Sequence, residues 1–299
     1  MRLRRSLKNL AKYALLLNIL FIYINLTACS LTTTSTYEKE DVSGAIQDIC
    51  LKEYNFKVVV KLIDDTLWIY LPLKDIIRDF KKEEKPPKYT KLFEIKENKA
   101  NLKNEKIKIE YLIQPIPEEE KYQEFKYNEE DLKKINNTLN VLRRVVFSMN
   151  KQKEKEPKFY SLVIADIKNG IEIREIIYYL DLKKITYGYI SWDEFSHRCP
   201  TEVNLAFEAI NDENGSYLNC YNITMGEFIV KQIIHRIRLK FEKPEVKKDV
   251  DIDKEIKKIV VYTLKIYNFI NFSEIEFHNL LTHYKTTLNQ PAILGISLE

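Results

Sequence analysis

Phe159-Tyr160-Ser161-Leu162-Val163-Ile164-Ala165-Asp166-Ile167 and Ile171-Glu172-Ile173-Arg174-Glu175-Ile176-Ile177-Tyr178-Tyr179-Leu180 flank the tripeptide Lys168-Asn169-Gly170. Both runs are rich in β-branched and aromatic residues, which fit a pleated, half-buried surface. Asn-Gly between two such runs supplies residues that tolerate the positive φ of a tight reversal, so the stretch predicts a β-hairpin. A helix over 173–180 is the competing reading of the second run.

Working outward, residues 56–63 and 66–71 form a second predicted hairpin about Asp64-Asp65. Strand alternation puts Trp68 and Tyr70 on one face and Leu67, Ile69 and Leu71 on the other, so both faces should be covered. Residues 105–114 read as a further strand. Residues 81–103, rich in Lys and Glu and holding Pro86-Pro87, read as a solvated loop or flexible linker. Helices alternate with these strands. Residues 37–54 place Val42, Ala45, Ile46, Ile49 and Cys50 on one face. In 128–149, Asn128 can cap while Glu129, Glu130 and Asp131 complement the positive helix end. Leu132, Ile135, Leu139, Leu142, Val146 and Met149 there have the spacing of a coiled-coil seam, but over too few heptads, so a core-packing helix is expected. Ser191 with Glu194, and Thr224 with Glu227, have capping-box spacing; they open a short helix near Trp192 and a longer one over 225–241. Residues 251–270 carry Ile256, Val260, Thr263, Tyr267 and Ile270 as an inner stripe. Beyond Phe272 a strand is favoured. Hairpins mixed with amphipathic helices predict an α+β fold with an antiparallel sheet across 37–299, as one large domain or two smaller ones.

The N-terminus is of another kind. Arg2, Arg4, Arg5, Lys8 and Lys12 precede the apolar run 13–26, with no acidic residue among them. That is the charged and apolar layout of an export signal, and the run is short of the roughly 20 residues a membrane-spanning helix needs. It ends in Leu26-Thr27-Ala28-Cys29, which resembles the lipobox of bacterial lipoproteins: an aliphatic residue, a small residue, Ala or Gly, then Cys. The resemblance covers only the first 30 or so residues. It implies a signal peptide over 1–28, diacylglyceryl on the Cys29 thiol, usually a further acyl chain such as palmitate on the freed amine, and a short polar tether over 29–36. Two or three chains hold a protein on a membrane where one is marginal. Ser30 after the cysteine, where some relatives carry Asp, implies the outer membrane in a host that has two, with the folded part facing periplasm or exterior.

Removal of residues 1–28 changes the charge. The chain has 48 Lys and Arg against 44 Asp and Glu, and the five basic residues of the signal leave 43 against 44. The mature chain is thus nearly neutral, which gives no ground for a nucleic-acid partner. The six glycines are Gly44, Gly170, Gly188, Gly215, Gly226 and Gly295. None has the spacing of a dinucleotide fingerprint, a P-loop or a nucleophile elbow, so no nucleotide cofactor is expected. The four histidines include no H-E-x-x-H pair, and no metal site is expected. Cys50 reads as a core residue. Cys199 and Cys220, in predicted loops of an exported chain, are candidates for a disulfide that would contribute roughly 3 kcal/mol by closing a loop of about 20 residues.

The nearest approach to catalytic chemistry is the stretch holding Asp166, Asp181, Asp193, Glu194, His197 and Cys199. Paired carboxylates would suit a lipid-anchored hydrolase of cell-wall or glycan material, and His with Cys a nucleophile pair. Against that stand the ordinary roles of such residues at hairpin ends and turns. Lys231, His235, Arg236, Arg238 and Lys240 form a basic run on the helix from 225, readable as a solvated face or as one turned to anionic headgroups. No catalytic residue is assigned. The function expected is a non-enzymatic binding or assembly module whose partner is an envelope protein or a surface polymer.

Overall fold

The predicted hairpin is the centre of the molecule. In a computed structural model that describes residues 37–123, 125–149, 156–242 and 246–296, β7 (Phe159–Asp166) and β8 (Ile171–Tyr178) pair antiparallel, Phe159 opposite Tyr178 and Asp166 opposite Ile171. The reversal takes the four residues 167–170, with Gly170 at φ +67 and its N–H donating to the Asp166 carbonyl at 2.9 Å. The competing helix begins only at Tyr179, as α3 (Tyr179–Thr186). The signal peptide, Cys29 and the tether to residue 36 lie outside the described residues.

The upstream hairpin also forms, as β1 (Val59–Ile63) and β2 (Thr66–Leu73), and β9 (Thr201–Leu205) completes a five-stranded sheet in the order β1-β2-β7-β8-β9. The fold is α+β, but its sheets are mixed where an antiparallel sheet was expected: β2 runs parallel to β7, from Thr66 beside Phe159 to Leu73 beside Asp166. The physical reason lies in the two strands themselves. Both are buried almost throughout, and near-continuous apolar runs covered on both faces are the mark of parallel pairing.

Alternation along β2 and β7 divides the interior into two cores. Leu67, Ile69 and Leu71 with Tyr160, Leu162 and Ile164 face one; Trp68 and Tyr70 with Phe159 and Val163 face the other. The first core is closed by α1 (Val42–Tyr54), through Val42, Ile46, Ile49 and Cys50, and by α2 (Glu129–Phe147). As expected, the Asn128 side chain caps α2, accepting from Glu130 N at 3.1 Å. The α2 stripe is Ile135, Val141, Leu142, Val145 and Val146, a core-packing face, while Leu132 from the seam-like spacing is exposed.

The second core is closed by α5 (Met225–Glu242), α6 (Ile252–Ile266) and a second sheet. That sheet, in the order β11-β10-β5-β4, consists of β4 (Lys88–Lys103), β5 (Lys106–Tyr122), β10 (Glu274–Asn279) and β11 (Tyr284–Asn289). β10 again runs parallel to β5. Helix α5 lies between the sheets: Phe228 meets Phe159 at 5.3 Å between ring centroids, and Phe241 meets Phe93 of β4 at 5.2 Å. The short strands β3 (Ile77–Asp79) and β6 (Phe125–Tyr127) pair apart, and α7 (Gln290–Leu294) ends the described chain.

Two expectations need correction here. Residues 81–103 are not a linker over most of their length, since β4 occupies Lys88–Lys103. Its outward side is charged, and register shifts between Lys91 and Phe93 and between Ile95 and Glu97 break the period-2 pattern that would have marked a strand. Helix α6 stops at Ile266, so Tyr267 is its C-cap and Ile270, placed in the inner stripe, is exposed.

Candidate functional site

The chain after β8 turns into α3 and then α4 (Trp192–His197), opened by the predicted cap: Ser191 Oγ accepts from Glu194 N at 3.1 Å. One helical turn brings Glu194 and Arg198 to the same face, and Arg198 Nε donates to Glu194 Oε1 at 2.6 Å. Arg198 Nη1 reaches back to Asp181 Oδ1 on α3 at 2.9 Å, and the other Asp181 oxygen accepts from Tyr267 Oη at 2.8 Å. Glu194 also accepts from Arg236 Nη2 of α5 at 3.2 Å. An alternating chain Asp181, Arg198, Glu194, Arg236 therefore ties α3, α4 and α5 together, and Tyr267, the C-cap of α6, joins it through Asp181. Asp181 is fully buried and Arg198 nearly so. Burial works against the Arg198 charge, but the two carboxylates outweigh it and raise its pKa. Burial likewise raises Glu194 on its own, yet the hydrogen bond from Arg198 and the positive charges of Arg236 and Arg198 hold it below the usual carboxylate range.

Helix α5 secures the end of α4. Gln232 Nε2 donates to the His197 carbonyl at 2.6 Å, and His235 Nε2 lies 3.3 Å from the Ser196 carbonyl, satisfying carbonyls that a helix end leaves open. His235 Nδ1 faces the Thr201 N–H at 3.4 Å and an Arg238 nitrogen at 3.4 Å. With only donors on that side, the neutral tautomer protonated at Nε2 satisfies both ring nitrogens. Burial first, then the charge of Arg238, lowers the His235 pKa to about 4.

Beyond Arg236 a cavity of about 290 Å³ opens between α5 and α6. Leu239, Ile259 and Tyr262 give it an apolar wall; Arg236, Lys240 and Lys258 bring positive charge, and Glu255 and His197 complete the lining. Lys258 donates to Glu255 at 3.1 Å, and the Arg236 guanidinium lies 5.0 Å from the centre of the Tyr262 ring. Arg236 Nε is buried without a hydrogen-bond partner, a donor whose lost hydration costs about 1–3 kcal/mol.

The structure scatters the residues the sequence put forward for catalysis. Asp166 and Asp181 stand at opposite ends of the β7–β8 hairpin, roughly 20 Å apart at about 3.3 Å per residue, well beyond the spacing of a glycosidase pair. Asp166 is a turn residue, accepting from Ile76 N, Lys168 N, Asn169 N and Asn169 Nδ2 at 2.9–3.1 Å. Asp193 is exposed. Cys199 is buried and burial pushes its thiol well up, the reverse of what a nucleophile paired with His197 requires. Burial also raises the Glu175 carboxyl, on β8, which lines no part of the cavity. The basic run is divided: Lys231 pairs with Glu202, His235 is buried, Arg236 bonds Glu194, Arg238 donates to the Thr201 carbonyl and Lys240 lines the cavity. Among the described residues, no three His, Cys, Asp or Glu side chains stand where they could hold a metal ion.

The expected Cys199–Cys220 bridge is not formed. Both thiols are free, as is Cys50, and the sheet separates them: Cys199 belongs to the core on the α1–α2 side, while Cys220 packs against the other. Iodoacetamide added to the denatured, unreduced protein should alkylate both Cys199 and Cys220, as read by peptide mass; a disulfide-linked peptide pair would contradict this.

No protein-family model, curated protein or solved structure matches the chain.

Proposed function

We propose that this chain is a lipid-anchored bacterial envelope protein whose folded part is a non-enzymatic binding or assembly module for another envelope protein or a surface polymer. The anchor rests on the charged and apolar N-terminal segment and on Leu26-Thr27-Ala28-Cys29. Among the described residues, no helix is long and apolar enough to cross a membrane.

The observation that favours binding over hydrolysis is the condition of the carboxylates. A general acid must hold a proton near neutral pH, which calls for a raised pKa and an open approach. Asp181 and Glu194 instead converge on the buried guanidinium of Arg198, and Glu194 is lowered. Meanwhile Tyr187, Tyr189 and Trp192 stand exposed on the segment leading into α4, with the Arg143 guanidinium 6.0 Å from the centre of the Trp192 ring. Amphipathic aromatic side chains of this kind suit protein and polymer surfaces.

The anchor is tested by the intact mass of protein extracted from membranes, compared with Cys29→Ala. Cleavage before Cys29 plus the mass of acyl chains, lost in the variant, is the expected result. An unmodified full-length mass would overturn it and leave an uncleaved N-terminal signal anchor as the account.

A further inference from the structure

We propose that the free edge of β9 pairs with β9 of a second copy of this chain, antiparallel about a twofold axis through Asn204. The inference goes beyond the binding-module reading and rests on the strand alone, with or without the lipid anchor.

β9 is the last strand of the five-stranded sheet, and its two sides are unlike. The Ala206 N–H donates to the Gly170 carbonyl at 2.8 Å, and the Pro200 carbonyl accepts from Ile176 N at 3.0 Å. Between them Glu202 lies opposite Arg174 and Asn204 opposite Glu172, so the even-numbered residues turn their backbone groups to β8. The odd-numbered residues turn theirs outward. At Thr201 both outward groups are taken by α5: the N–H faces His235 Nδ1 and the carbonyl accepts from Arg238. At Val203 and Leu205 the outward N–H and C=O have no partner among the described residues.

The side chains there are apolar. Val203 is 59% exposed and Leu205 73%, on the sheet face that carries Ile173 into the first core, and Phe207, 68% exposed, follows. Edge strands are ordinarily kept from pairing by lysines, bulges or a covering element. The other edges have such devices: exposed Lys61 in β1 and Lys285 in β11, and bulges in β4. β9 holds a single charged residue, Glu202, and that is paired with Lys231.

A second β9 is the complement of this edge. With Asn204 opposite its own copy, Val203 of each chain exchanges N–H and C=O with Leu205 of the other, which leaves none of those groups unpaired. The same register sets Val203 beside Leu205 on one face and Glu202 beside Ala206 on the other, so no like charges meet. A shift one way would need Thr201, which α5 occupies. A shift the other way would oppose Val203 to Phe207, whose carbonyl already accepts from Ile210 N at 3.1 Å. A charged peptide would find no free counter-charge on the strand. So short an edge buries less than the roughly 800 Å² per partner of a standard interface, which makes the dimer weak, with a dissociation constant on the order of 10–100 µM.

Asn204→Cys tests the register in the full chain, with Cys220→Ser removing the partly exposed thiol. Asn204 against its copy is a non-hydrogen-bonded pair with Cα atoms about 4.5 Å apart, inside the range a disulfide spans. Oxidation with copper phenanthroline and non-reducing electrophoresis should give a band of twice the chain mass. It should be at least tenfold stronger than from Glu208→Cys, which is also exposed but lies four residues from the axis. Adding Val203→Lys, at an exposed position, should cut the Asn204→Cys dimer at least tenfold with circular dichroism unchanged. Sedimentation velocity of the parent chain needs no cysteine variant: a dimer fraction should rise with concentration through that range and be lost in Val203→Lys. Equal cross-linking at Asn204→Cys and Glu208→Cys, a dimer indifferent to Val203→Lys, or a chain monomeric throughout would overturn the proposal. So would an Asn204→Cys adduct of another mass, which would give this edge to a different protein.

Discussion

Arg198→Ala should lower the unfolding free energy by about 3–5 kcal/mol, the largest single effect expected in this molecule. The loss does not measure the attraction in the ion pair. It measures what is left behind: Asp181 is fully buried, and without Arg198 it keeps only the Tyr267 hydroxyl at 2.8 Å and Lys184 at 3.7 Å. Lys184, its side chain 37% exposed, offers partial compensation, placing the expected value toward the lower end. Arg198→Lys should fall between wild type and Arg198→Ala, because one ammonium cannot donate in the fixed fork that reaches Asp181 and Glu194 together. Replacing Asp181 and Arg198 jointly by Leu and Met should recover most of the loss, since well-packed apolar groups often substitute for a buried pair at little cost. Urea denaturation monitored by Trp fluorescence reads all four proteins. An Arg198→Ala cost below about 1 kcal/mol would mean that Asp181 finds other solvation and that the network does not hold α3, α4 and α5 together.

What the sequence disclosed, and what it hid, follows from the range of each interaction. Caps were legible because they close within three residues: Asn128 on Glu130, Ser191 on Glu194, Thr224 on Glu227. Both hairpins were legible because turn and strands are adjacent. The parallel register of β2 on β7 was not, because Thr66 meets Phe159 only after the chain has passed through the long β4–β5 hairpin and α2. β4 was hidden by its own bulges, which moved Phe93 and Ile95 out of phase with the flanking residues. In the site, Asp181, Glu194, His197 and Arg236 were all singled out, but their roles were not. Arg198, which joins two of them, was passed over although its i,i+4 spacing from Glu194 was visible. Tyr262 and Tyr267 come from a helix more than sixty residues beyond Glu194, and nothing local connects them to it.

Lowering the pH from 7 to 4 should remove about 3 kcal/mol of stability through His235 alone, from a shift of about 2.5 pH units at 1.36 kcal/mol each. In the unfolded chain this imidazole takes up a proton below about pH 6.5; in the folded protein it stays neutral down to about 4. Over that interval the unfolded state binds more protons, so stability rises with pH. The contribution is complete above pH 6.5, is lost progressively down to about 4, and is flat for this residue below. The structural cause is on the Nδ1 side, where a second ring proton would point at the Thr201 N–H and at Arg238, with Arg236 and His197 adding positive charge nearby. Glu194 acts in the same direction but lower, because its folded pKa lies below the carboxylate value of 4.5, so its share is lost only as pH falls through that lower range. The measurement is urea unfolding at half-unit intervals from pH 4 to 7.5 for wild type and His235→Gln. The variant keeps an amide that can donate to the Ser196 carbonyl but cannot titrate. Its stability should change less than that of wild type between pH 6.5 and 4, with the two curves converging at the acid end. Parallel curves across that window would show that His235 is as readily protonated in the folded protein as in the unfolded one, and that α5 does not hold the end of α4 through a neutral imidazole.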